Sequence, residues 1–213
     1  RENGVICSMA YGDQPSLILE QIEWARLNGF DIICVPTSEN TKVLAESLNV
    51  PLGTLEEFNI LDLTIDGADE IDDDLCLLKG GGGALLREKI IAFNSKKMIV
   101  IADDTKKVSK LGDFKLPVEL IKFEHKTTIN RILEKLENIG YPGTANLRLL
   151  NGNPFLTDSK NVIYDLSIGL IEEPSSIDNL LNSIPGVVEN GLFVNLANIV
   201  IIGKHNGVKI IEK

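Results

Sequence analysis

Histidine and cysteine are scarce in this 213-residue chain, at two and three. His125 and His205 stand alone without ligand spacing, and the acidic stretches lack EF-hand order, so no bound metal is expected. Cys7, Cys34 and Cys76 are odd in number, far apart and set in apolar segments. That suggests neither a disulfide framework nor a zinc motif and fits a reducing cytoplasm. Long apolar runs are also missing, so no membrane span is expected. A basic excess is absent too: 31 Asp and Glu against 21 Lys and Arg give a net charge of −10, and aromatics are only 5%. Without a basic stripe or a stacking cluster, no nucleic-acid partner is expected. No charged-then-apolar leader is visible at Arg1, and a processed start stays open. What is present, 44% hydrophobic and 24% charged residues, suits one or two globular domains with a buried core.

Short β-branched apolar runs alternate with helical patterns, the signature of a parallel α/β layer. Strands are expected at Val5–Met9, Asp31–Val35, Leu61–Ile65 and Met98–Ala102. Helices are expected over Ser16–Asn28, stopped by Gly29, and over Asn40–Leu48 and Ala84–Asn94. After Pro117 the pattern becomes strand (Val118–Phe123), helix (Thr127–Ile139), two strands (Asn146–Leu150, Val162–Ile168), helix (Ser176–Ile184) and strand (Gly186–Phe193). This is the βαββαβ order of a split βαβ, ferredoxin-like unit. Ile199–Ile202 and Val208–Ile211 then rejoin the first sheet.

Most of the chemistry lies in Leu61–Lys89, LDLTIDGADEIDDDLCLLKGGGGALLREK. Asp66-Gly67-Ala68-Asp69 follows the apolar run, so two carboxylates stand at the carboxyl end of a strand, where open α/β sheets collect ligands. Asp72, Asp73 and Asp74 read equally well as a solvated acidic turn. Lys79 precedes four glycines, Gly80 to Gly83, whose amides can approach an anion or a developing oxyanion closely while the ammonium neutralises charge. No Gly-Lys-Ser/Thr ends this run and no dinucleotide fingerprint fits its spacing, leaving a flexible hinge as the plain alternative. Glu88 lies in the following helix between Arg87 and Lys89, where it faces either the loop or water. Lys106 is a second cation at a strand end. Neither Ser8, Ser38 nor Cys76 has the local context of a nucleophile. Carboxylates, a lysine and an amide nest together suit proton transfer next to a carbonyl.

These residues resemble the type A ribose-5-phosphate isomerase family. IDGADEID and LLKGGGGALLREKII resemble its central signature, and VPTSENT, IADDTKKV, LPVEL, NSIPGVVENGLF and GVKII resemble its flanking blocks in the same order, from about Gly4 to Lys213. The resemblance implies reversible conversion of ribose 5-phosphate to ribulose 5-phosphate in the pentose phosphate pathway, without metal or cofactor. It also implies a homodimer or homotetramer. By position, Glu88 matches the proton-abstracting carboxylate, while Asp66, Asp69 and Lys79 match residues assisting ring opening and steadying charge on the sugar oxygens. Gly67, Ala68, Gly80, Gly81, Gly82 and Lys106 match substrate-contacting positions. The implied architecture is a Rossmann-like parallel sheet with helices on both faces, residues 1–116 and 194–213, carrying an inserted α+β domain at 117–193. A base that holds a proton transiently near neutral pH should be partly buried, so Glu88 is predicted to be.

The chain departs from the family at the phosphate loop. Ser8-Met9-Ala10-Tyr11-Gly12-Asp13-Gln14 stands where the family has Gly-Leu-Gly-Thr-Gly-Ser-Thr. Tyr11, Gly12, Asp13 and Gln14 are thus the candidate phosphate contacts. A carboxylate 4 Å from a phosphate charge costs roughly 4 kcal/mol at an effective dielectric of about 20. Turnover with Asp13 turned away, an altered sugar specificity, and a non-catalytic sugar-binding relative are the three readings this loop allows. A coenzyme A transferase or a sugar-phosphate-sensing regulator is the alternative from another class.

Overall fold

The computed structural model describes the backbone of residues 4–9 and all of residues 22–213. Two compact units are formed. The first comprises Arg1–Gly67, Arg87–Asp103 and Leu196–Lys213, the second Ala68–Leu86 and Asp104–Asn195.

In the first unit, six strands build one sheet: β1 (Gly4–Met9), β2 (Asp31–Pro36), β3 (Leu63–Asp66), β6 (Met98–Asp103), β14 (Ile199–Lys204) and β15 (Gly207–Glu212), in the order β15-β14-β6-β3-β1-β2. Pairings from β2 through β1, β3 and β6 to β14 are all parallel, and β15 returns antiparallel. Counted along the chain, the parallel strands lie in the order 2-1-3-4-5, a doubly wound arrangement that reverses direction between β1 and β3. Helical residues 22–27 (α1), α2 (Glu39–Ser47), α3 (Leu55–Phe58) and α4 (Leu85–Phe93) occupy the connections. Ser38 caps α2, its hydroxyl accepting the Thr41 amide at 3.0 Å. Ile32 and Cys34 of β2 pack with Ile22, Ala45 and Val50, so the apolar faces of the helices are covered by the sheet.

The second unit carries β7 (Leu116–Leu120), α5 (His125–Asn138), β8 (Thr144–Leu147), β11 (Val162–Ser167), α6 (Pro174–Asn182) and β12 (Val187–Asn190). Its antiparallel sheet has the order β12-β7-β11-β8. Ile129, Ile132 and Leu136 of α5 and Ile177 and Leu181 of α6 recur at helical spacing and bury against Val118, Leu120, Val162 and Leu166. Two smaller ribbons complete it: β9 (Leu149–Leu150) with β10 (Asn153–Pro154), and β4 (Glu70–Ile71) with β5 (Leu77–Leu78) and β13 (Leu192–Phe193).

In the second unit, three expected strands are shifted or split. The first starts at Leu116 and stops at Leu120, so 121–123 lie outside it. Residues 146–150 are split at Arg148, whose N–H donates to Ile163 O while its C=O accepts from Phe155, which turns the chain from β11 toward β10. Residues 186–193 are split at Gly191, which donates to Pro117 O and accepts from Lys79 N. A Cβ on Gly191 would lie 2.3 Å from Lys79 O, so only glycine allows the crossing. Among the described residues, no helix is long and apolar enough to cross a membrane.

Candidate active site

The carboxyl end of β3 lies at the sheet's switch point, where ligands bind in open α/β folds. Asp66 is its last residue and is only 3% exposed, with the Gly67 N–H donating to its Oδ1 at 2.7 Å. Tyr11, Gly12, Asp13 and Gln14 follow the neighbouring strand β1 and lie outside the described residues. Glu88 stands in the first turn of α4 and is 7% exposed, so the predicted burial is found. The exposed ion pair at this point of α4 belongs instead to its neighbour Arg87, whose guanidinium reaches Glu39 at 2.8 Å. At the N-terminal end of a helix, a carboxylate is favoured by the helix dipole.

In the second unit, the β4–β5 hairpin carries Asp69 and Lys79. Glu70 pairs with Leu78, and Asp69 N–H donates to Leu78 O, so Asp69 and Lys79 face each other at the open end. Lys79 is 4% exposed, with its ammonium 5.5 Å from the Phe193 ring centroid, a cation–π distance. The four glycines are not equivalent. Gly81 donates to Asp69 Oδ2 at 2.9 Å and Gly83 to Gly80 O at 3.0 Å, so two of the amides expected to meet a ligand are committed within the protein. Gly82 is exposed. Gly83 has φ +83°, and a Cβ there would come 2.5 Å from the Phe155 ring. Lys106 closes the 3-10 turn Asp104–Lys106 after β6 and is half-buried.

Two further acidic residues of this segment have structural roles. Asp72 is buried, and its Oδ1 accepts the Asp74 and Cys76 amides in a tight turn. Burial pushes its carboxyl above the usual range, with those amides pulling the other way. Glu70 accepts the amides of Gly112 and Phe114 at 2.6 and 2.5 Å. His125 is half-buried, with Nδ1 2.8 Å from the Tyr164 hydroxyl. Among the described residues, no cluster of His, Cys, Asp and Glu could hold a metal ion.

Two groups escaped the sequence reading. Arg148 forms a two-pronged pair with Asp165 and donates to the carbonyls of Gly80 and Gly81. Glu119 is 1% exposed, with Oε1 accepting from Thr157 and Asn161 at 2.9 Å each. The available signal in both cases was a carboxylate inside an otherwise apolar strand, which demands a polar partner.

A parallel sheet of this order, with a buried carboxylate at its switch point, is the frame of an α/β enzyme that takes a small polar ligand. Residues 33–207 match the family described as Ribose 5-phosphate isomerase A (phosphoriboisomerase A). Ribose-5-phosphate isomerase A of Brucella suis biovar 1 (strain 1330) is 52% identical over 185 residues, covering 87% of this chain and 80% of its own. Ribose 5-phosphate isomerase from Plasmodium falciparum superimposes with a TM-score of 0.92 at 36% identity, covering 98% of this chain and 91% of that one. A D-ribose-5-phosphate isomerase in complex with phospho-erythronic acid gives 0.90 at 34% identity, covering 99% and 92%. The chain belongs to the ribose 5-phosphate isomerase A family.

Proposed function

We propose that this chain interconverts D-ribose 5-phosphate and D-ribulose 5-phosphate through an enediolate, as an enzyme of the pentose phosphate pathway. The observation that carries this reading is the family match over residues 33–207, a span that includes Asp66, Asp69, Lys79 and Glu88. A sugar-phosphate ligand is supported by the phospho-erythronic acid held by the structural relative. Tyr11, Gly12, Asp13, Gln14, Gly67, Ala68 and Lys106 are assigned to its recognition.

Aldose and ketose differ by one proton moved between neighbouring carbons while the carbonyl shifts the opposite way. One base performs both transfers, taking the C2 proton and returning it to C1. Glu88 is assigned that role, supported by its burial, which keeps bulk water from competing for the proton. Asp66 and Asp69 are assigned to proton movement during ring opening. The enediolate places negative charge on the C1 and C2 oxygens, which is costly in a dry site without fixed donors. Lys79 supplies the cation and the loop Gly80 to Gly82 the peptide dipoles, the Gly81 N–H acting through Asp69.

Purified protein given ribose 5-phosphate should form ribulose 5-phosphate, and Glu88→Gln should reduce kcat by about 100- to 10,000-fold. A parent protein without turnover on this substrate would refute the assignment. The same reading includes a cytoplasmic homodimer or homotetramer. Apolar surface at Leu149 and Leu150 supports self-association, which light scattering of the purified protein would measure.

A further inference from the structure

We propose that Arg148, anchored by Asp165, is a positioning residue that aims two peptide N–H groups of the glycine loop, one at Asp69 and one at the substrate oxyanion. This rests on the isomerase reading above. Arg148 approaches Asp165 with Nε at 3.0 Å and Nη2 at 2.5 Å, and its Nη1 donates to Gly80 O at 2.7 Å and Gly81 O at 3.1 Å. The Arg148 side chain is 15% exposed, and its guanidinium carbon lies 5.9 Å from the Phe155 ring centroid. Phe155 in turn packs where a side chain on Gly83 would be. Charge, fork and ring thus hold one side of the loop.

A trans peptide points its C=O and its N–H in opposite directions, and the described residues contain no cis bond. Fixing the Gly80 carbonyl on Arg148 therefore turns the Gly81 N–H the other way, and it meets Asp69 Oδ2 at 2.9 Å. Fixing the Gly81 carbonyl likewise turns the Gly82 N–H away from the guanidinium. Gly82 is exposed, and a Cβ there would find nothing within 4 Å, so the loop at this residue borders open space in which a ligand could reach the N–H. Each carbonyl bonded to a cation also polarises its peptide and strengthens the N–H as a donor. Arg148 and Asp165 together are neutral, so the pair acts by aim more than by net field. A lysine keeps the charge but has no planar fork, and one ammonium cannot serve a two-pronged carboxylate bond and two carbonyls at once.

The test compares parent, Arg148→Lys and Asp165→Asn in steady-state isomerisation of ribose 5-phosphate. Thermal unfolding checks that each is folded. Misaiming an oxyanion donor is expected to lower kcat of Arg148→Lys by about 10- to 100-fold while KM stays within about threefold, because the donor matters most when charge develops. Phospho-erythronic acid, whose carboxylate imitates the enediolate oxygens, should inhibit the variant at least tenfold more weakly, and inorganic phosphate equally well. A variant with kcat within threefold of the parent, or one impaired through KM alone, overturns the positioning role and leaves the isomerase reading intact. A parent that does not turn over the substrate overturns both. If Arg148→Lys does not fold, Asp165→Asn is judged by the same kcat and KM criteria.

Discussion

Replacing Gly83 by alanine should destabilise the protein through two separable costs. At φ +83°, an L-residue pays about 1–2 kcal/mol for its left-handed backbone. The new Cβ would sit 2.5 Å from Phe155 Cε1 and Cζ, where carbon atoms pack best at about 3.5–4.0 Å. Moving a ring out of a filled site costs roughly 1–3 kcal/mol. The lower entropy of the unfolded alanine chain returns about 0.4–1 kcal/mol. A net loss of about 1–5 kcal/mol follows, or roughly 2–20 °C in unfolding midpoint for a chain of this size. Calorimetry of Gly83→Ala, Phe155→Ala and the double variant separates the costs. With the ring gone, only the backbone part should remain, so the effect of Gly83→Ala should shrink by about 1–3 kcal/mol. Gly83→Ala within about 0.5 kcal/mol of the parent, or an effect unchanged without the ring, would falsify the reasoning.

Three further outcomes are expected. Lys79→Met should lower kcat on ribose 5-phosphate by about 100- to 1000-fold, the typical effect of losing one oxyanion-stabilising donor, and an unimpaired rate would remove Lys79 from the mechanism. Ile132→Ala, at a site with no exposure, should cost about 2–5 kcal/mol in urea unfolding, and a cost under about 1 kcal/mol would contradict the α5 packing. Burial holds the Glu119 carboxyl above its usual 4.5, against hydrogen bonds from Asn161 and Thr157 and with Glu189 and Asp158 adding to the rise. A raised folded value means that the folded chain binds the proton more tightly. The stabilisation is therefore full below the usual value and is lost as pH rises through the raised one. Glu119→Gln should gain on the parent between pH 5 and pH 8, and equal stability differences at both would refute this.

Much of the α/β layer was legible because its strands carry continuous apolar runs, as Asp31–Pro36 and Met98–Asp103 do. Strands β4 and β5, two residues each, are too short for any periodicity, and β4 begins with Glu70 in the middle of an acidic stretch. Loops written as a glycine run looked uniform, yet their amides divide by partner, which only tertiary neighbours decide. Asp69 and Lys79 could be read from their motif, but their facing positions needed the Glu70–Leu78 register. Arg148 meets its partners across 17 residues to Asp165 and 68 to Gly80, distances over which no local pattern reports.

Strand β6 pairs on one side with β3 and on the other with β14, about a hundred residues further along, so Ile99 must wait for Ile199. During synthesis, the growing sheet therefore presents a bare edge at β6 until the whole second unit has been made. Such an edge invites pairing with another chain, and bridging it late makes folding slow. Yield in cells should then depend more on chaperones and growth temperature than the stability of the finished molecule would suggest.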